Sequence, residues 1–355
     1  MAPGNVRILC WEGYEAPTVL ESFAAKHGVR AEAELLSSDF EAAEGIASGA
    51  LRGFDVINLN NPFAREVLHP RGLIRALDPE RFEPFFAQML PQFTHLYDWA
   101  RSADGAELLG VCQRFGPFSL VVNTDRISRE NAEDQGFALA ADPRNRQRYG
   151  VLDYPDFNIF HICIAAGLDP FIPQGGPALE VFETQARAWF EGAKLVTEDH
   201  VQLNRALVSG EIDFYLSGGV YTASPARLAG CSNVRVITPR RGPIGGKGGI
   251  VFTEVTSALV HPDASPHAED FLEHILQPET ALEVAFAERT GSAVAQMGDP
   301  RVMETFSKAQ LDALQWDSLE EDVARSADYA LAPSYVALRA ARARALRAAG
   351  WGSDP

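Results

Sequence analysis

Residues 8–30 read ILCWEGYEAPTVLESFAAKHGVR, and this stretch decides the fold. Its first three residues, 8–10, end a short apolar strand. Pro17 suits the first turn of a helix, apolar residues then recur at helical spacing, and Gly28 ends the run. The stretch therefore predicts a strand, a loop and an amphipathic helix, which is the opening of an α/β domain.

Two aromatic residues, Trp11 and Tyr14, stand in the predicted loop. In open α/β sheets, ligands bind in the crevice outside the carboxyl ends of the strands. The pair could therefore face a ligand, or it could cover the core, and the stretch alone leaves both interpretations open.

The same rhythm continues through the first third of the chain, where short apolar runs alternate with helical patterns. Strands are predicted at 5–10, 31–36 and 54–59, and helices at about 16–27, at 39–48 and from Phe63. This βαβ order predicts a mostly parallel sheet with helices on both faces.

A second alternation of strands and helices follows a region where the chain is predicted to cross from one domain to another. Residues 107–127 are interpreted as two strands with a break at Gly116-Pro117, and 149–260 alternate strands with helices. Residues 267–291 read as two helices separated by a proline, and the tail from about 318 to 349 as helical.

The length and composition fit a globular protein of two domains, because a chain of 355 residues is too long to fold around one small core. The net charge of −17 argues against nucleic acid and anionic membranes as partners. The chain opens without the charged and apolar regions of an export signal, which fits either a cytosolic protein or an exported protein whose signal has been removed.

Catalytic and metal-binding motifs are not found. The four cysteines form no CxxC pair, although a disulfide stays open, and GGKGG lacks the Ser or Thr that a phosphate loop needs after Lys247. There is no GxSxG, HExxH or GxGxxG motif. His161 lies on an apolar helix face and is interpreted as a core residue. We expect binding rather than turnover, with no metal or cofactor.

Five segments, in order, carry a resemblance to a known family. They are residues 11–30, GFDVINLNNPFAREVLHPRGLIRALDPERF (53–82), FGPFSLVVNTDRI (115–127), LVSGEIDFYLSGG (207–219) and AEDFLEHILQPETALEVAFAERTGSAVA (268–295). The chain resembles the periplasmic solute-binding proteins of ABC importers, specifically the spermidine/putrescine-binding branch.

This resemblance implies a type II clamp of two lobes, each a mixed, mostly parallel sheet flanked by helices. Lobe 1 would comprise 1–116 and 256–300, and lobe 2 would comprise 117–255 and 301–355. Hinges would lie near 117–122, near 250–257 and at about 300. The implied protein is a periplasmic monomer that binds a small ligand between its lobes and delivers it to an ABC transporter permease.

The resemblance also implies a set of ligand-binding residues. They are Trp11, Tyr14, Asn61, Phe63, Arg114, Asp153, Asp156, Gly218, Glu254, Thr256, Trp316 and Asp317. Several polyamine positions are altered: Gly13 stands where the family has Glu, Gly218 where it has Trp, Ser292 where it has Tyr, and Thr256 where it has Asp. Trp11 and Tyr14 would stand on the lip of the cleft, where aromatic faces can hold an ammonium group.

These departures shift the expected ligand away from a long triamine. Arg114 would repel an amine but could meet a carboxylate, while the acidic residues could pair one or two cations. We expect a small amine-containing ligand, a polyamine or a related amine or zwitterion, and we favour a shorter amine or a zwitterion over a long triamine. The alternatives are a binder of a small carboxylate, a ligand sensor, or an enzyme on the same clamp. Asp156 has a further, structural interpretation as the cap of the helix that follows it.

Overall fold

The computed structural model describes residues 4–94, 97–287 and 289–352. Residues 1–3 of predicted lobe 1 and residues 353–355 of predicted lobe 2 lie outside these ranges. The strands, in chain order, are β1 Val6–Cys10, β2 Ala31–Leu35, β3 Val56–Asn60, β4 Val111–Asn123, β5 Tyr149–Leu152, β6 Leu195–Thr197, β7 Phe214–Gly219, β8 Val234–Ile237, β9 Gly249–Ala258, β10 Ala293–Val294 and β11 Ser326–Asp328.

The α-helices are, in chain order, α1 Pro17–His27, α2 Asp39–Ser48, α3 Pro79–Phe86, α4 Pro91–Thr94, α5 Tyr97–Ala100, α6 Arg129–Gln135, α7 Pro155–Ala165, α8 Gly176–Gly192, α9 His200–Ser209, α10 Val220–Leu228, α11 Ala268–Ile275, α12 Pro278–Ala285, α13 Pro300–Met303, α14 Lys308–Ala313, α15 Leu319–Ala324 and α16 Tyr335–Ala348. The predicted helices at 16–27 and 39–48 correspond to α1 and α2, whereas α3, α4, α5 and α6 were not predicted. The helix expected from Phe63 is a π-helical segment, Phe63–Leu68.

Local signals account for the first βαβ unit. Pro17 opens α1, and Gly28 closes it with a left-handed φ of 65° while its N–H donates to the carbonyl of Ala24. Ser38 caps α2 by accepting from the backbone N–H of Glu41. The predicted strand, loop and helix of the opening stretch are confirmed.

Two predicted elements were wrong. The break at Gly116-Pro117 does not occur, because β4 runs through both residues, and the fixed φ of proline fits an extended strand. The tail is not wholly helical, since the three residues of β11 pair in parallel with residues 249–251 of β9.

The chain divides into two compact units. Unit 1 contains residues 1–115 and 252–308, and unit 2 contains residues 116–251 and 309–355. The chain passes between the units within β4, within β9 and in α14.

Unit 1 is built on a mixed sheet in the order β2-β1-β3-β9. Strand β1 pairs in parallel with β2 and β3, whereas β3 pairs antiparallel with β9, which sets Asn60 opposite Glu254. Strand β10 pairs antiparallel with β4. The residues after β1 and β3 therefore leave the sheet at the same edge, close to Glu254.

Unit 2 is built on parallel pairing of β5 with β6 and β7, and antiparallel pairing of β4 with β7 and β8. Its core holds large, fully buried aromatic side chains, including Trp189, Tyr215, Phe182 and Phe190. Both units are thus helix-flanked mixed sheets, and the predicted α/β class is confirmed.

Candidate functional site

The first predicted residue, Trp11, directly follows β1 and is half-buried. Its indole Nε1 donates to Asp39 Oδ1 at 2.9 Å, and its backbone N–H donates to Asn58 Oδ1 at 3.4 Å. Asp39 is the buried first residue of α2. The carboxylate therefore fixes the orientation of the indole ring at the edge of the sheet.

Asp39 also orders the end of β3. Its carboxylate accepts from the Asn60 backbone N–H at 3.1 Å and from Asn60 Nδ2 at 2.6 Å. The side-chain oxygens of Asn60 and Asn61 are buried and have no hydrogen-bond partner within the part of the chain that the structure describes. Two unpaired amide oxygens at a strand end can accept hydrogen bonds from a ligand N–H or O–H group. Phe63, buried, opens the π-helical segment beside them.

The second aromatic residue, Tyr14, is fully buried, unlike the exposed position on the lip of a cleft that its resemblance implied. Its hydroxyl donates to Glu254 Oε2 at 2.8 Å. Burial raises the pKa of Glu254 to about 7, against the opposing effect of the Arg114 charge. This carboxyl is therefore poised to change its ionisation near neutral pH.

Arg114, on β4, is buried and holds its guanidinium among neutral acceptors. It donates to the carbonyl of Glu12, to Thr290 Oγ1 at 3.2 Å and to Ser292 Oγ at 3.3 Å, and its Nε has no partner among the described residues. A buried cation whose hydrogen-bond acceptors are neutral favours the approach of an anion.

Gly13 packs against this guanidinium, which explains why no acidic side chain occupies that position. Its φ is 112°, and a Cβ there would lie 2.7 Å from the carbonyl oxygen of Val284 and 3.4 Å from Arg114 Nη1. The close approach and the positive φ both require glycine.

Thr256, on β9, takes part in a buried chain of side-chain hydrogen bonds. Its Oγ1 accepts from Asn58 Nδ2 at 2.9 Å and donates to Gln113 Oε1 at 3.1 Å. These bonds use its hydroxyl within unit 1, so a role in ligand binding stays a prediction.

Asp153 and Asp156 belong to unit 2 and flank the start of α7. Asp153 forms an ion pair with Arg342, and Asp156 accepts a hydrogen bond from the hydroxyl of Tyr335. Tyr154, not Asp156, is the N-cap of α7, so the capping interpretation of Asp156 was wrong. Asp156 lies in the first turn instead, where a negative charge still interacts favourably with the helix dipole.

A residue with a strained backbone lies within β7 in the same unit. Ser217 is fully buried with a φ of 64°, and its Oγ contacts Asn158 Nδ2 at 2.8 Å and His161 Nδ1 at 3.1 Å. His161 Nε2 contacts the carbonyl of Phe118 at 3.1 Å, and burial lowers the pKa of His161 to about 3. The interpretation of His161 as a satisfied core residue is confirmed.

Gly218, next to Ser217, has no room for a larger residue. A Cβ would lie 2.4 Å from the ring of Tyr215 and 2.7 Å from the side chain of Val121. The indole that the resemblance implies for this position therefore cannot be accommodated.

Trp316 and Asp317 follow α14. Trp316 is half-buried, and Asp317 is exposed and bonds to Arg235 at 3.1 Å. Their role in ligand binding stays a prediction. The four cysteines are free, and the described residues contain no group of three or more His, Cys, Asp or Glu side chains that could hold a metal.

A cavity of about 1040 Å³ lies in unit 1 at the other edge of the sheet. Arg7, Asp55 and His261 line it, together with loop residues 262–266, and none of the twelve predicted residues does. Asp55 is already used structurally, because it accepts from the backbone N–H groups of Arg7 and Ser265.

Sequence reasoning missed Asp39, Asn60 and Arg342. Ser38-Asp39 reads as an ordinary helix start, and Asn60 precedes a predicted residue without a motif of its own. Arg342 lies in a helix that carries several arginines, and nothing local marks it as the partner of Asp153.

Solved structures with the same fold cover nearly all of the chain. A protein from Listeria monocytogenes described as a spermidine/putrescine ABC transporter is 14% identical, with a TM-score of 0.73 over 96% of this chain and 98% of its own. The spermidine/putrescine substrate-binding protein PotD of Streptococcus pneumoniae is 13% identical, with a TM-score of 0.66 over 96% and 99%. MotA of A. tumefaciens, solved in complex with glucopine, is 14% identical, with a TM-score of 0.63 over 96% and 99%.

No family model and no curated protein matches the chain. The structural likeness confirms that the chain has the fold of spermidine/putrescine ABC transporter substrate-binding proteins. Proteins of this fold bind different solutes, since MotA was solved with glucopine and a Trichodesmium protein was solved with iron and citrate.

Proposed function

We propose that the chain is the extracytoplasmic solute-binding component of an ABC transporter and that it captures a small amine-containing ligand, a zwitterion. The shared fold supports this role. Within the described residues, no helix combines the length and apolar character needed to cross a bilayer. The partner for delivery would be the permease of the transporter.

The observation that carries the ligand assignment is the setting of Arg114. Its guanidinium is buried and donates to neutral acceptors among the described residues. Its Nε has no hydrogen-bond partner among them. Removing a charge from water is costly unless an opposite charge compensates it, and the Glu254 carboxyl, with a pKa of about 7, compensates the Arg114 charge only in part near neutral pH. A ligand carboxylate would supply that charge and would match the planar donors of the guanidinium.

The amine end of the ligand has acceptors in the same unit. The unpaired oxygens of Asn60 and Asn61 can accept from an ammonium group, and the indole face of Trp11, held by Asp39, can contact it. The ionised form of Glu254 can balance the charge. A single cation and a single anion together favour a zwitterion over a polyamine.

A small carboxylate without an amine is the second candidate, and Arg114 is the observation that favours it. The two candidates differ in what they require of Glu254. Binding of a zwitterion improves when Glu254 ionises, whereas binding of a simple carboxylate worsens, because a second negative charge then lies nearby.

Calorimetric titration with amino acids, simple carboxylates and spermidine tests the proposal. We expect an amino acid or a related zwitterion to bind best, and Arg114→Gln to weaken that binding roughly thirtyfold or more, as loss of one partner of a buried charge pair does. Arg52→Gln is the matched control, because Arg52 is an exposed arginine that lines the remote cavity. Submicromolar spermidine binding that zwitterions do not compete for would overturn the assignment.

A further inference from the structure

The C-terminal helix α16 supplies a partner to each of the acidic residues of unit 2 that resemble amine ligands. Tyr335, its first residue, donates to Asp156, and Arg342, two turns later, forms an ion pair with Asp153. Both acidic residues thus already have a hydrogen-bond or charge partner inside their own unit.

Arg342 is held in place by more than this ion pair. Its Nε and Nη2 donate to Asn158 Oδ1 at 3.1 and 2.9 Å, and its guanidinium lies 5.6 Å from the centre of the Phe190 ring. Asn158 in turn donates to the carbonyl of Leu152 and to Ser217 Oγ, both at 2.8 Å. The guanidinium is therefore built into the unit and does not depend on Asp153 for its position.

The exposures of the two partners decide how the pair behaves. The Arg342 side chain is 6% exposed and the Asp153 side chain is 21% exposed. The Asp153 carboxylate is thus the more accessible member of the pair. The buried Arg342 guanidinium neutralises its negative charge. An ammonium group that approached Asp153 would meet a neutral pair with a cation at close range.

We propose that Arg342 is a specificity-determining residue, which pairs with Asp153 and thereby withholds this carboxylate from ligand amines. The inference rests on the proposed solute-binding function and narrows its ligand class. Unit 2 selects against a second ammonium group, so the ligand has one amine. Diamines and polyamines therefore bind more weakly than a ligand with one amine.

The test is a gain of binding measured by calorimetry with 1,4-diaminobutane. Arg342→Gln keeps a donor for Asn158 and releases the charge of Asp153, so we expect diamine affinity to rise about tenfold or more over the wild type. Arg342→Lys retains the cation and is the matched control, with affinity close to the wild type. Adding Asp153→Asn to Arg342→Gln should abolish the gain.

A folded Arg342→Gln variant that binds the diamine no better than the wild type overturns the proposal. If that variant does not fold, Asp153→Asn in the wild-type background decides the matter. Diamine affinity unchanged by Asp153→Asn supports the withheld carboxylate, and a tenfold loss shows that Asp153 already binds amines and overturns it. A wild type that binds no zwitterion would count against the proposed function alone, because the diamine gain is measured independently.

Discussion

Glu254 gives the clearest prediction at the scale of single residues, because it is a buried carboxyl whose pKa is about 7. The ordinary value is 4.5, so the folded chain keeps a proton that the unfolded chain releases between these two values. The free energy of unfolding therefore falls as the pH rises from about 4.5 to 7, by about 3 kcal/mol from this group.

Glu254→Gln should remove that fall. We expect urea unfolding at pH 5 and pH 8 to show a smaller pH-dependent loss in Glu254→Gln than in the wild type, by about 3 kcal/mol. Glu21→Gln, at an exposed glutamate of α1, is the control and should behave as the wild type. Equal pH dependence in the wild type and Glu254→Gln would contradict a raised pKa.

Trp11 is half-buried and held by Asp39, so its loss should affect binding more than folding. We expect Trp11→Ala to weaken ligand binding about tenfold, about 1.4 kcal/mol. Trp189→Ala removes a fully buried indole and serves as the comparison, with an expected stability loss of about 3–5 kcal/mol. Melting temperature and affinity, measured on both variants, check this.

If Trp11→Ala instead loses as much stability as Trp189→Ala and keeps its affinity, Trp11 belongs to the core.

The residue type and its place after β1 were readable from sequence, whereas the contact with Asp39 was not. That contact joins the end of one strand to the start of the second helix, and no local pattern specifies it.

At the scale of elements, the periodic pattern predicted the first two helices and the strands β1, β2 and β3 well. Capping residues and buried apolar runs are local signals, and they carry this success. Strand β11 was missed because three residues between helices have no periodicity, and only their pairing with β9 makes them a strand. The continuity of β4 was missed because Gly116-Pro117 reads as a break, although proline fits an extended backbone.

The contact between α7 and α16 gives a prediction at this scale. Asp156 accepts from the Tyr335 hydroxyl, and asparagine can still accept that bond. We expect Asp156→Asn to change amine affinity less than about threefold, which corresponds to about 0.7 kcal/mol. Tyr335→Phe removes the donor and should lower the free energy of unfolding by roughly 1–2 kcal/mol.

Calorimetry on Asp156→Asn and urea unfolding on Tyr335→Phe measure the two effects. A loss of affinity of about thirtyfold, or 2 kcal/mol, in Asp156→Asn would show that this carboxylate binds the ligand amine through its charge.

At the scale of the whole molecule, the two βα rhythms predicted two α/β domains, and the chain forms two compact units. The resemblance added what periodicity cannot supply, namely a prediction of which strand ends carry ligand residues. It could not show that Gly13 and Gly218 are closed to side chains or that Arg342 pairs with Asp153. Those facts depend on contacts between residues far apart in sequence.

Passage of the chain between the units at three places leads to the last prediction. β4 and β9 each belong partly to both units, and we propose that small rotations of their backbones act as hinges. If the chain is a clamp, a ligand that binds the closed form better should shift the chain toward that form. We expect the radius of gyration, measured by solution X-ray scattering, to decrease when the best zwitterion of the titration panel is added.

Arg114→Gln, at the same ligand concentration, should show a much smaller decrease, since it binds less. Full occupancy by calorimetry with an unchanged radius of gyration would refute the hinge motion and leave ligand binding to a single unit.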